Sequence, residues 1–127
     1  MNTQQATTPR ELPGVILKQK EVYQLWLKLH RDFPRVERLG VGQKIEQSFL
    51  TIFELTYISS YLPRDQKVIT LAKTITRLDI LKFFMQLAFE SKLIPLPLYI
   101  DISERLLEVG RMLGGWKKGL ESKTPII

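Results

Sequence analysis

The sequence predicts an all-α protein, an antiparallel four-helix bundle, and three observations carry that prediction. Proline and glycine break the chain into a short polar start and four long segments, at Pro13-Gly14, Phe33-Pro34, Tyr61-Leu62-Pro63 and Pro95-Leu96-Pro97. Each long segment repeats apolar residues every three or four positions, the period of a helix with one face in a core. Nothing in the chain signals strands: there is no Asn-Gly or Asp-Gly turn and no bounded period-2 run, and no fixed-period repeat occurs either. A length of 127 residues suits one domain with one core, and 44% apolar with 25% charged residues is the composition of a chain that folds. The expected organisation is a polar N-terminal tail over 1–14, the bundle over 15–122 and a C-terminal tail over 123–127.

The first segment, Val15 to Phe33, places Val15, Val22, Leu25, Trp26, Leu29 and Phe33 on one stripe, with Lys20, Lys28, Arg31 and Arg35 on or just beyond the far side. The second, Val41 to Tyr61, has Val41, Ile45, Phe49, Ile52, Leu55 and Ser59 on one face. Leu50, Phe53, Tyr57 and Ile58 wrap further round, so this helix is expected to be largely buried. The third, Arg64 to Lys92, carries two apolar seams. Val68, Leu71, Ile75, Leu78, Met85 and Phe89 form one; Ile69, Ile80, Phe83, Phe84 and Leu87 form the other, on roughly the opposite side. A helix that is apolar on two sides needs cover on two sides. In a domain this small one seam faces the core and the other is left for another subunit, which predicts a homo-oligomer, with burial inside the monomer as the alternative. The fourth, Leu98 to Leu120, repeats Tyr99, Ile102, Leu106, Val109, Leu113 and Trp116 in the three-four alternation of a bundle helix. Asp101, Glu104 and Glu108 line one of its flanks, with Arg105 and Arg111 spaced to pair with them. Gly110, Gly114, Gly115 and Gly119 each cost a helix about 1 kcal/mol against alanine. Close approach of a neighbouring helix or a phosphate backbone explains them, as does fraying from Gly114 onward.

Nineteen Lys and Arg against thirteen Asp and Glu give a charge of +6, which favours polyanionic partners. The chain has no cysteine, so disulfides, finger-type zinc sites, iron–sulfur clusters and thiol nucleophiles are excluded, and a reducing, cytoplasmic location is expected. No signal peptide or long apolar run is present, so neither export nor membrane spanning is expected. The single histidine, His30, is read as a partly exposed imidazole and supports no nucleophile system or di-iron pair. No phosphate-cradling glycine loop occurs. No catalytic residue, metal site or cofactor is therefore expected. The basic residues gather in three groups: Lys20, Lys28, Arg31 and Arg35; Lys73 and Arg77; and Arg111 with Lys117 and Lys118. Without exposed aromatic residues among them, they suit contact with phosphates of RNA or DNA and weak sequence preference. Lys82 falls in the first apolar seam three residues after Asp79, where a buried ammonium needs a partner or an aqueous lumen.

The run Leu78-Asp79-Ile80-Leu81-Lys82, then Gln86-Leu87-Ala88, and above all Glu108-Val109-Gly110-Arg111-Met112-Leu113-Gly114-Gly115-Trp116-Lys117-Lys118, resembles the accessory variability determinant (Avd) family of diversity-generating retroelements. The resemblance implies a non-enzymatic four-helix bundle that assembles into a basic homopentameric barrel. It also implies a partner, the reverse transcriptase of the retroelement, served during template-RNA-directed mutagenic cDNA synthesis and retrohoming. On these motifs Lys82 and Arg111 are the first candidates for nucleic-acid or reverse-transcriptase binding, with Lys73, Arg77, Lys117 and Lys118 following from charge. Gly110, Gly114 and Trp116 are expected to be architectural, with Trp116 closing the end of the core. Gln86, four residues after Lys82, does not extend the basic face. Four-helix proteins encoded in intervening sequences of bacterial large-subunit ribosomal RNA genes share the pattern in part and stand as the alternative, beside an oligomeric scaffold with no nucleic-acid role.

Overall fold

The prolines that break the sequence also start its helices. A proline lacks the N–H that the first turn of a helix leaves unpaired, and its φ is fixed near the helical value. The carbonyls of Pro13, Pro34, Pro63 and Pro95 accept the N–H groups of Ile16 at 3.0 Å, Arg38 at 2.9 Å, Lys67 at 2.8 Å and Tyr99 at 2.9 Å. The computed structural model describes residues 13–122, which are helical with no strand among them. Its elements are α1 (Gly14–Arg31), α2 (Arg35–Leu39), α3 (Val41–Ser59), α4 (Arg64–Glu90) and α5 (Leu96–Ser122). Residues 1–12 of the expected N-terminal tail, and the C-terminal tail at 123–127, lie outside the described residues.

The four long helices alternate in direction. Gln19 of α1 reaches Thr56 late in α3, and Trp26 reaches Glu46 early in it. Lys44 of α3 lies over Phe84 of α4. Phe89 at the end of α4 stacks on Tyr99 at the start of α5, and Arg64 at the start of α4 donates to the Leu120 carbonyl near the end of α5. Going round the bundle the order is α1, α3, α4, α5, and α5 returns to α1. The core is built from Val22, Trp26, Ile45, Leu71, Leu78, Leu81, Met85, Ile102, Val109 and Leu113, none more than 1% exposed. Residues 71, 78 and 85 with 74, 81 and 88 give α4 two heptad-spaced rows that face this core.

The structure departs from the sequence pattern in four places. Gln19 is 4% exposed on the core face of α1; its Nε2 donates to the Thr56 hydroxyl at 2.9 Å, and Thr56 donates in turn to the Ile52 carbonyl at 2.8 Å. Leu25, expected on the core stripe, is half-buried. On α3, Leu50, Tyr57 and Ile58 are 41%, 49% and 46% exposed, so the helix is not largely buried. Its neighbours, α4 and α1 with α2 at its first turn, cover only the side of the helix that carries Ile45, Phe49 and Ile52. The link between the first two segments folds into α2, a five-residue turn that buries none of its side chains.

Gly42 is required by the corner where α1, α2 and α3 meet. A Cβ there would lie 2.5 Å from His30 Nε2, 2.8 Å from its Cδ2 and 3.0 Å from the Glu37 carbonyl oxygen. The imidazole cannot swing clear easily, because it stacks on Trp26 at 4.7 Å and meets the edge of Phe33 at 5.7 Å. Its Nε2 also lies 3.3 Å from the Arg38 carbonyl. Gly42→Ala is expected to lower stability by about 1–3 kcal/mol, against the usual helical gain from alanine, as read from the urea midpoint.

α4 ends in a left-handed cap. Lys92 has φ 65°, with Leu93 N–H donating to the Ala88 carbonyl at 3.0 Å and Lys92 N–H to the Phe89 carbonyl at 2.9 Å. Glycine takes that conformation without the steric cost borne by a lysine. Lys92→Gly is therefore expected to raise stability by about 0.5–1 kcal/mol in the same denaturation measurement.

Between α1 and α3, Glu46 accepts two hydrogen bonds, from the Tyr23 hydroxyl and from Trp26 Nε1 at 2.9 Å. Burial first, then the hydrogen bond and charge of Glu46, raise the Tyr23 phenol from 10.0 to about 12. The native state thus favours the protonated phenol. This stabilisation is complete below the unfolded value and is lost as pH rises from 10.0 toward 12. Thermal unfolding across that window should show a steeper loss for the wild type than for Tyr23→Phe.

Candidate nucleic-acid interface

Helix α4 presents the features on which the surface depends. Of its second seam, Ile69 is 58% exposed, Phe83 61% and Leu87 39%. Ile80 is half-buried above a groove between α3 and α4 of about 460 Å³, beside Thr51 and Leu55. Phe84 is placed differently from the sequence expectation. It is half-buried against the core with the Lys44 ammonium 5.7 Å from its ring, because one residue beyond Phe83 is a 100° step round the helix and carries it into the α3 interface.

Lys82 is not the buried ammonium that the apolar spacing predicts. Its side chain is 36% exposed, 4.0 Å from Asp79, in a groove of about 400 Å³ between α4 and α5. It leans over Gly110, where a Cβ would stand 3.5 Å from the ammonium and 3.3 Å from Leu78. Gly110 thus marks the close approach of α5 to α4. Gly114, Gly115 and Gly119 have nothing within 4 Å of a Cβ, so no contact among the described residues explains them. Trp116 is half-buried against the core near the end of the bundle.

The remaining basic candidates divide between two surfaces. Lys73 and Arg77 share the α3/α4 groove with Ile80. Arg111 and Lys118 are exposed two turns apart on the outer face of α5, and neither has a carboxylate within 4 Å among the described residues. Lys117 is tied to Glu121 at 2.9 Å. One chain therefore joins Lys73 to Arg77 and aligns Arg111 with Lys118, but it does not bring these groups and Lys82 into one patch. The acidic flank of α5 forms a groove with α1, lined by Glu21, Asp101, Glu104 and Glu108 with Lys18 and Arg105. Arg105 Nε lies 2.9 Å from Asp101, which raises the guanidinium pKa further, with Glu21 3.8 Å away on the same side chain. Arg111 stays outside this lattice.

Sequence reasoning missed the exposed aromatic residues. Tyr57 and Tyr61 are each 49% exposed, with hydroxyls 3.0 Å apart and rings 5.0 Å apart. Their position one turn apart, past the core arc of α3, was the available signal. No group of three or more His, Asp or Glu placed to hold a metal ion occurs among the described residues. No helix there is long and apolar enough to cross a membrane. What the arrangement offers is charge: exposed guanidinium and ammonium groups on helical faces, able to meet phosphates without reading bases.

Among known proteins, no curated sequence and no solved structure matches. The bAvd-like family model matches residues 15–120, from the first turn of α1 to near the end of α5, and so takes in both Lys82 over Gly110 and the Glu108–Lys118 run. With the match spanning most of the chain and the four long helices present in order, the protein belongs to the bAvd-like family.

Proposed function

We propose that this protein is a non-enzymatic accessory subunit of a diversity-generating retroelement, which binds nucleic acid through phosphates and engages the retroelement's reverse transcriptase as a homo-oligomer, a pentamer by family resemblance. The observation that carries the proposal is the bAvd-like match over residues 15–120. Two physical features support it. The charge of +6 per chain is multiplied by assembly, and Arg111 and Lys118 stand open on α5. Ile69 and Phe83 expose large apolar surface, each side chain worth about 1.5–3 kcal/mol once covered.

The test is co-purification with the neighbouring reverse transcriptase, with and without nuclease, together with cDNA synthesis from the template RNA. Retention after nuclease and altered cDNA synthesis are expected. Failure of both would remove the retroelement role and favour the ribosomal intervening-sequence alternative. Light scattering should give a single assembly well above the 14.8 kDa chain, and a monomer at micromolar concentration would remove the oligomer.

A further inference from the structure

Resting on the accessory-subunit reading, we infer that α2 docks an acidic segment of the reverse transcriptase, one that sets apolar side chains among carboxylates. Among the described helices only α2 buries none of its side chains. It adds nothing to the core, yet its backbone is firmly held. Arg38 N–H donates to the Pro34 carbonyl at 2.9 Å, Gly40 N–H to the Val36 carbonyl at 3.0 Å, and Lys44 N–H of α3 to the Gly40 carbonyl at 3.2 Å. His30 Nε2 lies 3.3 Å from the Arg38 carbonyl, and the bare Cα of Gly42 lets α3 close on the Glu37 carbonyl. Ordering a segment costs conformational entropy, and here no buried apolar side chain offsets it. A fixed backbone under outward side chains suits a docking surface, because little ordering is left for the moment of binding.

At about 100° per residue, Arg38, Arg35, Leu39 and Val36 follow one another round the outer arc of α2, with Glu37 half-buried on the opposite side. Val36 is 76% exposed and Leu39 65%, the two most exposed large apolar side chains among the described residues. Arg31 adds a third guanidinium from the last turn of α1, next to His30. All three arginines are exposed, and none has a carboxylate within 4 Å among the described residues, Asp32 and Glu37 included. These features select the occupant. A planar guanidinium without a partner fits a carboxylate, which it can hold by two parallel hydrogen bonds. Apolar side chains beside such charges are the makings of a protein interface, with its apolar centre and polar rim. Nucleic acid would satisfy the arginines through its phosphates, but its charged backbone gives Val36 and Leu39 no apolar partner. The same helix of a second copy would set arginine against arginine.

The test is binding of the neighbouring reverse transcriptase after nuclease treatment, by the wild type and by two double variants, Arg35→Glu with Arg38→Glu and Val36→Ser with Leu39→Ser. All four side chains are exposed, so circular dichroism should show unchanged helicity. Each pair should weaken the complex by about tenfold or more. The mass from light scattering should not change, and the serine pair should leave RNA affinity as it was. Should a pair lose helicity, Arg38→Gln and Leu39→Ala, both better suited to a helix, take its place with the same result expected. Wild-type binding that both pairs preserve overturns the docking role of α2 and leaves the accessory role standing. Weakening by one pair alone overturns the combined acidic and apolar chemistry. Loss of RNA affinity in the serine pair would put nucleic acid on α2, and a changed mass would put a second copy there; either overturns the inference. A wild type that does not bind after nuclease overturns it together with direct contact to the reverse transcriptase.

Discussion

Trp26→Ala is expected to lower stability by about 3–5 kcal/mol, a large share of the roughly 5–15 kcal/mol available to a domain of this kind. Trp26 is 0% exposed and sits where α1 meets α3, with its ring against Phe33 at 5.5 Å and Phe49 at 6.1 Å. Truncation empties that space, and it also takes from Glu46 the donor at 2.9 Å and from His30 the surface on which it stacks. Trp26→Phe separates the two effects. It keeps most of the volume and should cost about 1–3 kcal/mol for the lost hydrogen bond, because Tyr23 still donates to the carboxylate. Chemical denaturation followed by circular dichroism checks both values; equal costs for the two substitutions would show that the hydrogen bond, not the packing, governs this corner.

The second large effect lies in binding. If an assembly of these basic chains engages 6–10 phosphates, its affinity for RNA or DNA should fall by about 10³–10⁵ between 50 mM and 200 mM salt. Charge reversal of both exposed residues on α5, Arg111→Glu with Lys118→Glu, should weaken binding at low salt by more than about tenfold, to a similar extent for unrelated sequences, since phosphate contacts carry no base information. Fluorescence anisotropy with two unrelated oligonucleotides reads both outcomes. Affinity indifferent to salt would exclude the phosphate mechanism, and loss confined to one sequence would implicate base contacts, for which Tyr57 and Tyr61 are the exposed aromatic candidates.

The helices were legible because proline marks where α1, α4 and α5 begin, although α3 starts after Gly40, and a three-four alternation fixes which side is inside. Ile102, Leu106, Val109 and Leu113 were identified from spacing alone, and all are at most 2% exposed. The outer half of each helix was less legible. Spacing could not place Phe84, because the second seam of α4 is broad enough to touch both the α3 interface and open surface. Lys82 defeated the pattern for a steric reason. With no side chain at Gly110, the lysine can lie across α5 and carry its ammonium to the rim of the groove. Gln19 was invisible because its warrant is a hydroxyl 37 positions away, Thr56, and no local pattern encodes that partner. Of the candidate site, the residue types were legible, but not their distribution over separate faces, since helical phase gives direction from one axis and says little about the neighbouring axis.

The round order α1, α3, α4, α5 has a kinetic side. Three of the four helix–helix seams join elements that follow one another along the chain, separated by short links, so each can form as a local hairpin with little loop entropy to overcome. Only the seam between α1 and α5 spans the whole domain. Such a topology belongs to the fast class, folding in microseconds to milliseconds. The slowest native contact to form, and the first to open, should be the closing one, where Glu21 meets Arg105 at 3.8 Å and Gly14 lies beside Met112. Substitutions along that seam should then change the unfolding rate while leaving the folding rate nearly untouched.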